Sequence, residues 1–220
     1  MSQRAGIVLV SALVIAAAIW GYSAYTTRSL RTSIAAMVND ASVKLRPALA
    51  AYTDAKQDFD ADARTLEAQV TRLRAMRTGA VVELADAADG YLVSAREIVR
   101  RRAAMERTRD AHAASLGALR QHLASDRGSA AWTAQAVSLK AAVDRDLRAF
   151  RIASESYASL VGSLPQAHAR IKPHVQDAWL ADAETIASAR AHALDALART
   201  DENTRQATRL DRYRDPARRR

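Results

Sequence analysis

The sequence contains no cysteine and has few glycines, prolines and aromatic residues. The lack of cysteine excludes disulfides, thiol nucleophiles, thiolate metal sites and a lipid-modified cysteine. Only 7 glycines and 4 prolines interrupt the chain, and no strand or hairpin pattern is evident. Abundant alanine, leucine and arginine favour long helices. We therefore predict an all-α protein.

Sequence motifs of enzyme sites are also missing. There is no glycine-rich phosphate loop, no Gly-x-Ser-x-Gly elbow and no motif that mixes aromatic and basic residues for nucleic acid. The 5 histidines form no pair that would place two metal ligands on one helix face. We expect a protein that is not an enzyme, that has no cofactor or metal, and whose partners do not include nucleic acid.

A few polar residues could form sites, but each also has a simpler structural interpretation. His112 falls on an apolar stripe, where a hydrogen-bonded core histidine is favoured over a metal ligand. His168 and His174 flank a connector between prolines, where solvation explains them. Carboxylates recur every four residues at Asp54, Asp58 and Asp62. Pairing of this stack with arginines of a neighbouring helix is favoured over cation binding.

The charge balance is basic. Lys and Arg total 33 against 24 Asp and Glu, a net charge of +9 that is spread along the chain. Such an excess suits an anionic partner, although solvated outer faces of helices explain it more simply. Possible contacts with an anionic partner are Arg96, Arg100, Arg101, Arg218, Arg219 and Arg220.

An uncharged run lies near the N-terminus. Between Arg4 and Arg28 it includes a mostly apolar stretch from Ala5 to about Tyr25, long enough to span a bilayer. Three aromatic residues mark its end, where a membrane interface would lie: Trp20, Tyr22 and Tyr25. A buried core helix would keep a polar face, and a cleavable signal peptide would end at a small-x-small site that this run matches poorly. We predict that residues 1–27 form an N-terminal membrane anchor with one transmembrane helix.

The orientation of this anchor is less clearly encoded. Arg4 and the amino terminus lie on one side, and Arg28 and Arg31 on the other, so the positive-inside rule gives nearly a tie. A four-residue tail before the apolar run is typical of a bacterial signal anchor. We expect a single-pass inner-membrane protein with a periplasmic bundle. A cytoplasm-facing bundle whose basic surface meets DNA or anionic lipid is the alternative.

Apolar residues recur at steps of three and four beyond the anchor. Residues 28–46 would extend the membrane helix as a stalk, and Pro47 would open a new helix after a kink or short break. Long, coiled-coil-like helices are then predicted as helix A over 47–77, helix B over 80–125, helix C over 130–162 and helix D over 173–212, with a basic tail at 213–220. We expect an antiparallel, up-down-up-down four-helix bundle whose basic tail returns toward the lipid headgroups.

Helix B has the most regular pattern, about six heptads, with Arg102 and Arg109 on its apolar seam. Arginines at such positions must extend to solvent or find partners. Because this seam has polar positions, we also expect helix B to pair with a second copy of the chain.

The run Leu45-Arg46-Pro47-Ala48-Leu49 follows the predicted span and opens the bundle. This layout resembles the four-helix-bundle sensor domains of bacterial chemoreceptors, which implies a ligand-binding module. The likeness covers the anchor and about the first fifty residues. It departs in that those receptors return through a second membrane helix to a cytoplasmic signalling domain, so no ligand residues are transferred. Inner-membrane spanins share the gross layout without matching residues.

Together these patterns favour a non-enzymatic, membrane-anchored helical bundle that acts as an envelope scaffold or adaptor. Its expected partners are the lipid bilayer, other envelope proteins and a second copy of the chain. The alternative is a ligand-binding sensory module that signals through a separate membrane partner. An arginine-lined pocket between helices would favour this alternative.

Overall fold

The computed structural model describes residues 2–50, 63–65, 67–68, 70–72, 74–75, 79–125, 129–174 and 183–209. Within these helices, the side chains at 2–18, 44, 47, 48, 50 and 79–81 are not described. Of the residues described, 97% are helical and none lies in a strand, which confirms the all-α prediction.

The described helices are α1 (Ser2–Ala50), α2 (Gly79–Ala124), α3 (Ala130–Ile171) and α4 (Ala183–Ala207), with a 3-10 turn at Lys172–His174. Helical backbone is also described at 63–65, 67–68, 70–72 and 74. The helices pack around a shared apolar core. From α1 the core takes Ile34, Val38, Ala41, Leu45 and Leu49, at steps of three and four. The outer faces remain polar, as expected of amphipathic helices.

The turn between α2 and α3 is held by local polar contacts. The Ser129 side chain accepts a hydrogen bond from the Trp132 backbone N–H at 3.0 Å and so serves as the N-cap of α3. The Trp132 indole N–H donates to the His122 carbonyl at 3.2 Å, and the two rings stack with centroids 5.0 Å apart. These contacts fix α2 and α3 as a tight helical hairpin.

Side-chain contacts give the directions of the helices. Ser42 of α1 contacts Tyr91 of α2. Further along both helices, Leu49 contacts Arg102, so α1 and α2 run in the same direction. The pairs that make α3 antiparallel to α2, and α4 antiparallel to α3, are Tyr91–His168, Arg101–Ser156, Ser154–Ala193 and Arg151–Asp201. The helical residues near 67 and 74 run antiparallel to α2, with contacts Glu67–Arg96 and Arg74–Asp86.

The described end of α4 lies away from the N-terminal end of the bundle. Thr204 contacts His112, which is 21 residues beyond Tyr91 along α2, whereas α1 reaches α2 at Tyr91. Since α4 runs parallel to α2 and α1, it does not return toward the start of α1. The expected return of the last helix toward the anchor, from which the position of the basic tail was predicted, is therefore wrong. Residues 210–220, which include the tail itself, lie outside the described residues.

Two prolines lie within helices where the sequence predicted breaks. Helix α1 continues through Pro47 to Ala50 because the buried stripe continues from Leu45 to Leu49 across it. Helix α3 contains Pro165 and extends to Ile171, nine residues beyond the predicted end at 162. In both cases, packing of the apolar stripe offsets the missing proline N–H.

Helix D ends earlier than predicted. The helix α4 is described from Ala183 and ends at Ala207, before the predicted end at 212; residues 175–182, near its predicted start, lie outside the described residues. Across the described part of the chain, no helix is long and apolar enough to cross a membrane. The predicted span covers residues 5 to about 25, and the side chains at 5–18 lie outside those described.

Candidate functional site

The predicted interface aromatics lie on an uncovered part of α1. Trp20, Tyr22 and Tyr25 are 79%, 72% and 73% exposed. Among the described side chains of α1, the half-buried Leu30 is the first that packs against the core, and Ile34 is the first that is fully buried. Residues 20, 22 and 25 also point in different directions around a helix with 3.6 residues per turn. Aromatic side chains therefore project on several sides of α1, an arrangement suited to a membrane interface.

The predicted basic contacts are partly engaged within the bundle. Arg96 forms an ion pair with Glu67 at 2.7 Å, and its hydrogen bond and charge lower the pKa of the Glu67 carboxyl. Arg101 bonds Glu97 at 2.6 Å, while Arg100 lies 3.9 Å from the same carboxylate. These pairs favour a solvated helix surface over an open anion site. Arg218, Arg219 and Arg220 lie outside the described residues.

The structure does not describe the predicted carboxylate stack at Asp54, Asp58 and Asp62. Within the segments that the structure does describe, no group of three or more His, Asp and Glu side chains is placed to hold a metal ion. Polar residues are instead buried at the helix contacts, among them Arg102, His112 and His168.

His112 is a core histidine, as predicted. It is 2% exposed, and its Nε2 lies 2.9 Å from the Thr204 Oγ1. The Thr204 hydroxyl donates its own proton to the Thr200 carbonyl at 2.7 Å, so Oγ1 accepts from His112 and the Nε2 carries a proton. Burial lowers the pKa of His112, opposed by the charges of Asp146 and Asp201.

His168 corrects the prediction of a solvated connector. It is 8% exposed on α3, because that helix continues past Pro165, and its ring lies 5.5 Å from that of Tyr91. Burial lowers the pKa of His168 to about 4. Tyr91 is also buried, which raises its pKa to about 12, and its hydroxyl bonds Ser42 at 3.0 Å. His174, in contrast, is half-buried in the 3-10 turn.

The two arginines on the seam of helix B have different environments. Arg109 is exposed and pairs with Glu106 at 2.6 Å. Arg102 is 8% exposed, and its Nη1 donates a hydrogen bond to the Leu49 carbonyl. That carbonyl lies in the last described turn of α1. Arg102 therefore joins α2 to the backbone of α1.

A cavity of about 410 Å³ opens where this end of α1 meets α2, α3 and α4. Its inner wall contains the largely buried residues Leu49, Arg102 and Tyr157. Its mouth is formed by exposed side chains of α4: Glu184, Ser188 and His192. The cavity thus has a buried cation at its inner wall and mixed polar groups at its opening.

The Tyr157 hydroxyl has no hydrogen-bond partner within the described part of the chain, although the residue is only 1% exposed. Burial raises the pKa of Tyr157, while the positive charge of Arg102 opposes the rise and Glu106 adds to it. A buried, unsatisfied hydroxyl costs about 1 to 3 kcal/mol. A hydrogen-bond acceptor inside the cavity would recover that free energy.

The chain matches no protein-family model, no curated protein and no solved structure. The cavity was not predicted from the sequence. Tyr157 and Arg102 each fit the apolar stripe of their own helix, but spacing within one helix does not show how two helices are rotated against each other. Nor does it show that α1 ends beside them.

Proposed function

We propose that this protein is a single-pass, membrane-anchored helical bundle that acts as a scaffold or adaptor at the bacterial envelope. The observation that supports this proposal is the continuity of α1 from Ser2 to Ala50. One helix contains both the uncharged run at its N-terminal end and the core residues from Ile34 to Leu49. No loop separates the proposed anchor from the bundle.

This continuity gives the bundle a defined distance from the bilayer. Tyr25, at the end of the aromatic group, precedes Leu30, the first described side chain of α1 that packs against the core, by five residues. At 1.5 Å per residue this is a helical spacer of about 8 Å. A bundle held on such a spacer can present its outer helix faces to neighbouring envelope proteins.

Membrane fractionation with an alkaline carbonate wash tests the anchor. The full-length protein is expected to stay in the washed membrane fraction. Val14→Arg places a charge in the uncharged run and is expected to release the protein, because a charge at the bilayer centre costs about 3 kcal/mol or more. Val43→Arg is the matched control, since Val43 lies on the same helix and is 53% exposed. Release of the wild-type protein by the wash contradicts the proposal.

Site-specific photocrosslinking in cells tests the scaffold role. The exposed positions Val93 on α2 and Val137 on α3 accept a photoreactive residue without disturbing the core. One reproducible adduct with an envelope protein is expected from at least one of these positions. Finding none at either position contradicts a scaffold that uses these faces.

A ligand-binding sensory module is the second candidate, and the cavity at the end of α1 favours it. Arg102 lines this cavity and also bonds the Leu49 carbonyl. A ligand that alters this contact acts directly on the helix that contains the proposed anchor. This supplies a physical route from a binding site to a membrane partner.

A further inference from the structure

We propose that the cavity between α1, α2, α3 and α4 binds a small organic monocarboxylate beside Tyr157 and Arg102. The proposal rests on the second candidate function and names its ligand class. It does not depend on the scaffold role. The carboxylate accepts a hydrogen bond from the Tyr157 hydroxyl and lies next to the Arg102 guanidinium.

The Tyr157 hydroxyl is a hydrogen-bond donor available to a ligand. It is buried, it lines the cavity, and it has no partner among the described residues. Carboxylate oxygens accept hydrogen bonds strongly because they are charged. A carboxylate placed here satisfies the hydroxyl and gains a bond that is stronger than one to a neutral acceptor.

The charges around the cavity are positive at its inner wall and negative at its mouth. Arg102 places a fixed positive charge on the inner wall, where low exposure limits screening by solvent. Glu106 acts on the same hydroxyl, but its carboxylate is paired with Arg109 at 2.6 Å. Glu184 stands at the mouth and disfavours a second negative charge there. These charges select one carboxylate pointing inward and a neutral or polar remainder.

The size and polarity of the cavity limit which carboxylates fit. The cavity measures about 410 Å³, at the small end of ligand sites, and Leu49 and Ala189 supply apolar wall. It suits a molecule with on the order of ten non-hydrogen atoms, given about 30 Å³ per water-sized unit. A short aliphatic or single-ring acid meets these limits.

Isothermal titration of the full-length protein in detergent tests the proposal, with butyrate, benzoate and succinate as probes. Butyramide and benzamide serve as neutral controls of matched shape. Butyrate or benzoate is expected to bind at least tenfold more tightly than its amide, and succinate more weakly than butyrate. Equal binding of acid and amide, or no heat from any acid, overturns the proposal.

Two tyrosine variants locate the site. Tyr157→Phe is expected to weaken binding of the best acid about tenfold, since it removes the hydroxyl donor. It should leave the melting temperature of the ligand-free protein equal or higher, because it also removes a buried, unsatisfied group. Tyr91→Phe is the matched control: its hydroxyl bonds Ser42, outside the lining of the cavity, so affinity should not change. Equal affinities of Tyr157→Phe and wild type overturn the proposal.

A variant at the mouth guards against effects on folding. Ser188 is exposed, so Ser188→Trp covers the opening without entering the core. It is expected to abolish the titration signal while the melting temperature stays unchanged. Undiminished binding by this variant places the acid elsewhere and overturns the assignment. Carbonate extraction is independent of these measurements, so failure of the ligand site is distinguishable from failure of the anchor.

Discussion

The Nε2 of His112 on α2 lies 2.9 Å from the hydroxyl oxygen of Thr204, near the C-terminal end of α4. Both residues are buried, and they lie 92 positions apart in the sequence. A polar contact with defined donor and acceptor fixes the position of α4 along α2 more precisely than apolar contacts alone do.

Thr204→Val is expected to destabilise the bundle by about 1 to 3 kcal/mol, because the buried His112 N–H loses its acceptor. Thermal and chemical unfolding followed by circular dichroism measure the change. Thr204→Ser retains the hydroxyl and should remain within about 1 kcal/mol of wild type. A Thr204→Val variant that is as stable as wild type, or a Thr204→Ser variant that loses more stability than Thr204→Val, would show that the hydrogen bond does not stabilise the bundle.

The Ser42–Tyr91 contact predicts an asymmetric pair of variants. The Ser42 hydroxyl donates to the Val38 carbonyl at 2.8 Å, so it accepts from Tyr91. Ser42→Ala leaves the buried Tyr91 hydroxyl without an acceptor and should cost about 1 to 3 kcal/mol. Tyr91→Phe leaves Ser42 its own bond and should cost less. A double variant that is no more stable than Ser42→Ala would refute this direction of donation.

Arg102 and Arg109 form a matched pair for the contact between α2 and α1. Arg102→Met removes the donor to the Leu49 carbonyl and is expected to cost about 1 to 3 kcal/mol. Arg109→Met removes ion pairs of an arginine that is itself exposed, and should cost less than about 1 kcal/mol. Hydrogen exchange of α1 around Leu49 should accelerate in the first variant alone. Equal acceleration in both variants contradicts a stabilising role of the Arg102–Leu49 contact.

His168 predicts loss of stability in acid. Its pKa is about 4 in the folded protein against an ordinary 6.5, so the unfolded chain binds more protons between these values. Stability is therefore fully present above about pH 6.5 and falls as the pH drops toward 4, by about 3 kcal/mol.

The control for this prediction is a histidine outside the core. His168→Leu should flatten the unfolding free energy between pH 4 and 6.5, whereas His192→Leu, at an exposed position, should not. His112, whose pKa is also lowered, supplies a remaining slope in both variants. If the pH dependence of the unfolding free energy is unchanged in His168→Leu, burial of His168 does not cause the loss of stability in acid.

The sequence pattern predicted those features that depend on one helix at a time. The stripe from Ile34 to Leu45 and the burial of His112 both follow from steps of three and four, and the N-cap role of Ser129 follows from its residue type. These are local or periodic signals, which a single sequence carries directly.

Other features depend on packing between helices, which can outweigh the local preferences of single residues. Pro47 and Pro165 were expected to interrupt helices, but buried residues on both sides of each proline continue the stripe. His168 was expected at the surface because the helix was expected to end before it. The cavity depends on the rotation of α2 and α3 that brings Arg102 and Tyr157 together, which no spacing within one helix encodes.

A pair of reporters fused after Arg220 tests whether the proposed anchor holds the bundle outside the cytoplasm. One fusion carries alkaline phosphatase, which is active only outside the cytoplasm, and the other carries a fluorescent protein that matures only inside it. We expect an active phosphatase and a dark fluorescent fusion, both in the washed membrane fraction. A fluorescent fusion with an inactive phosphatase would contradict a membrane-anchored bundle outside the cytoplasm.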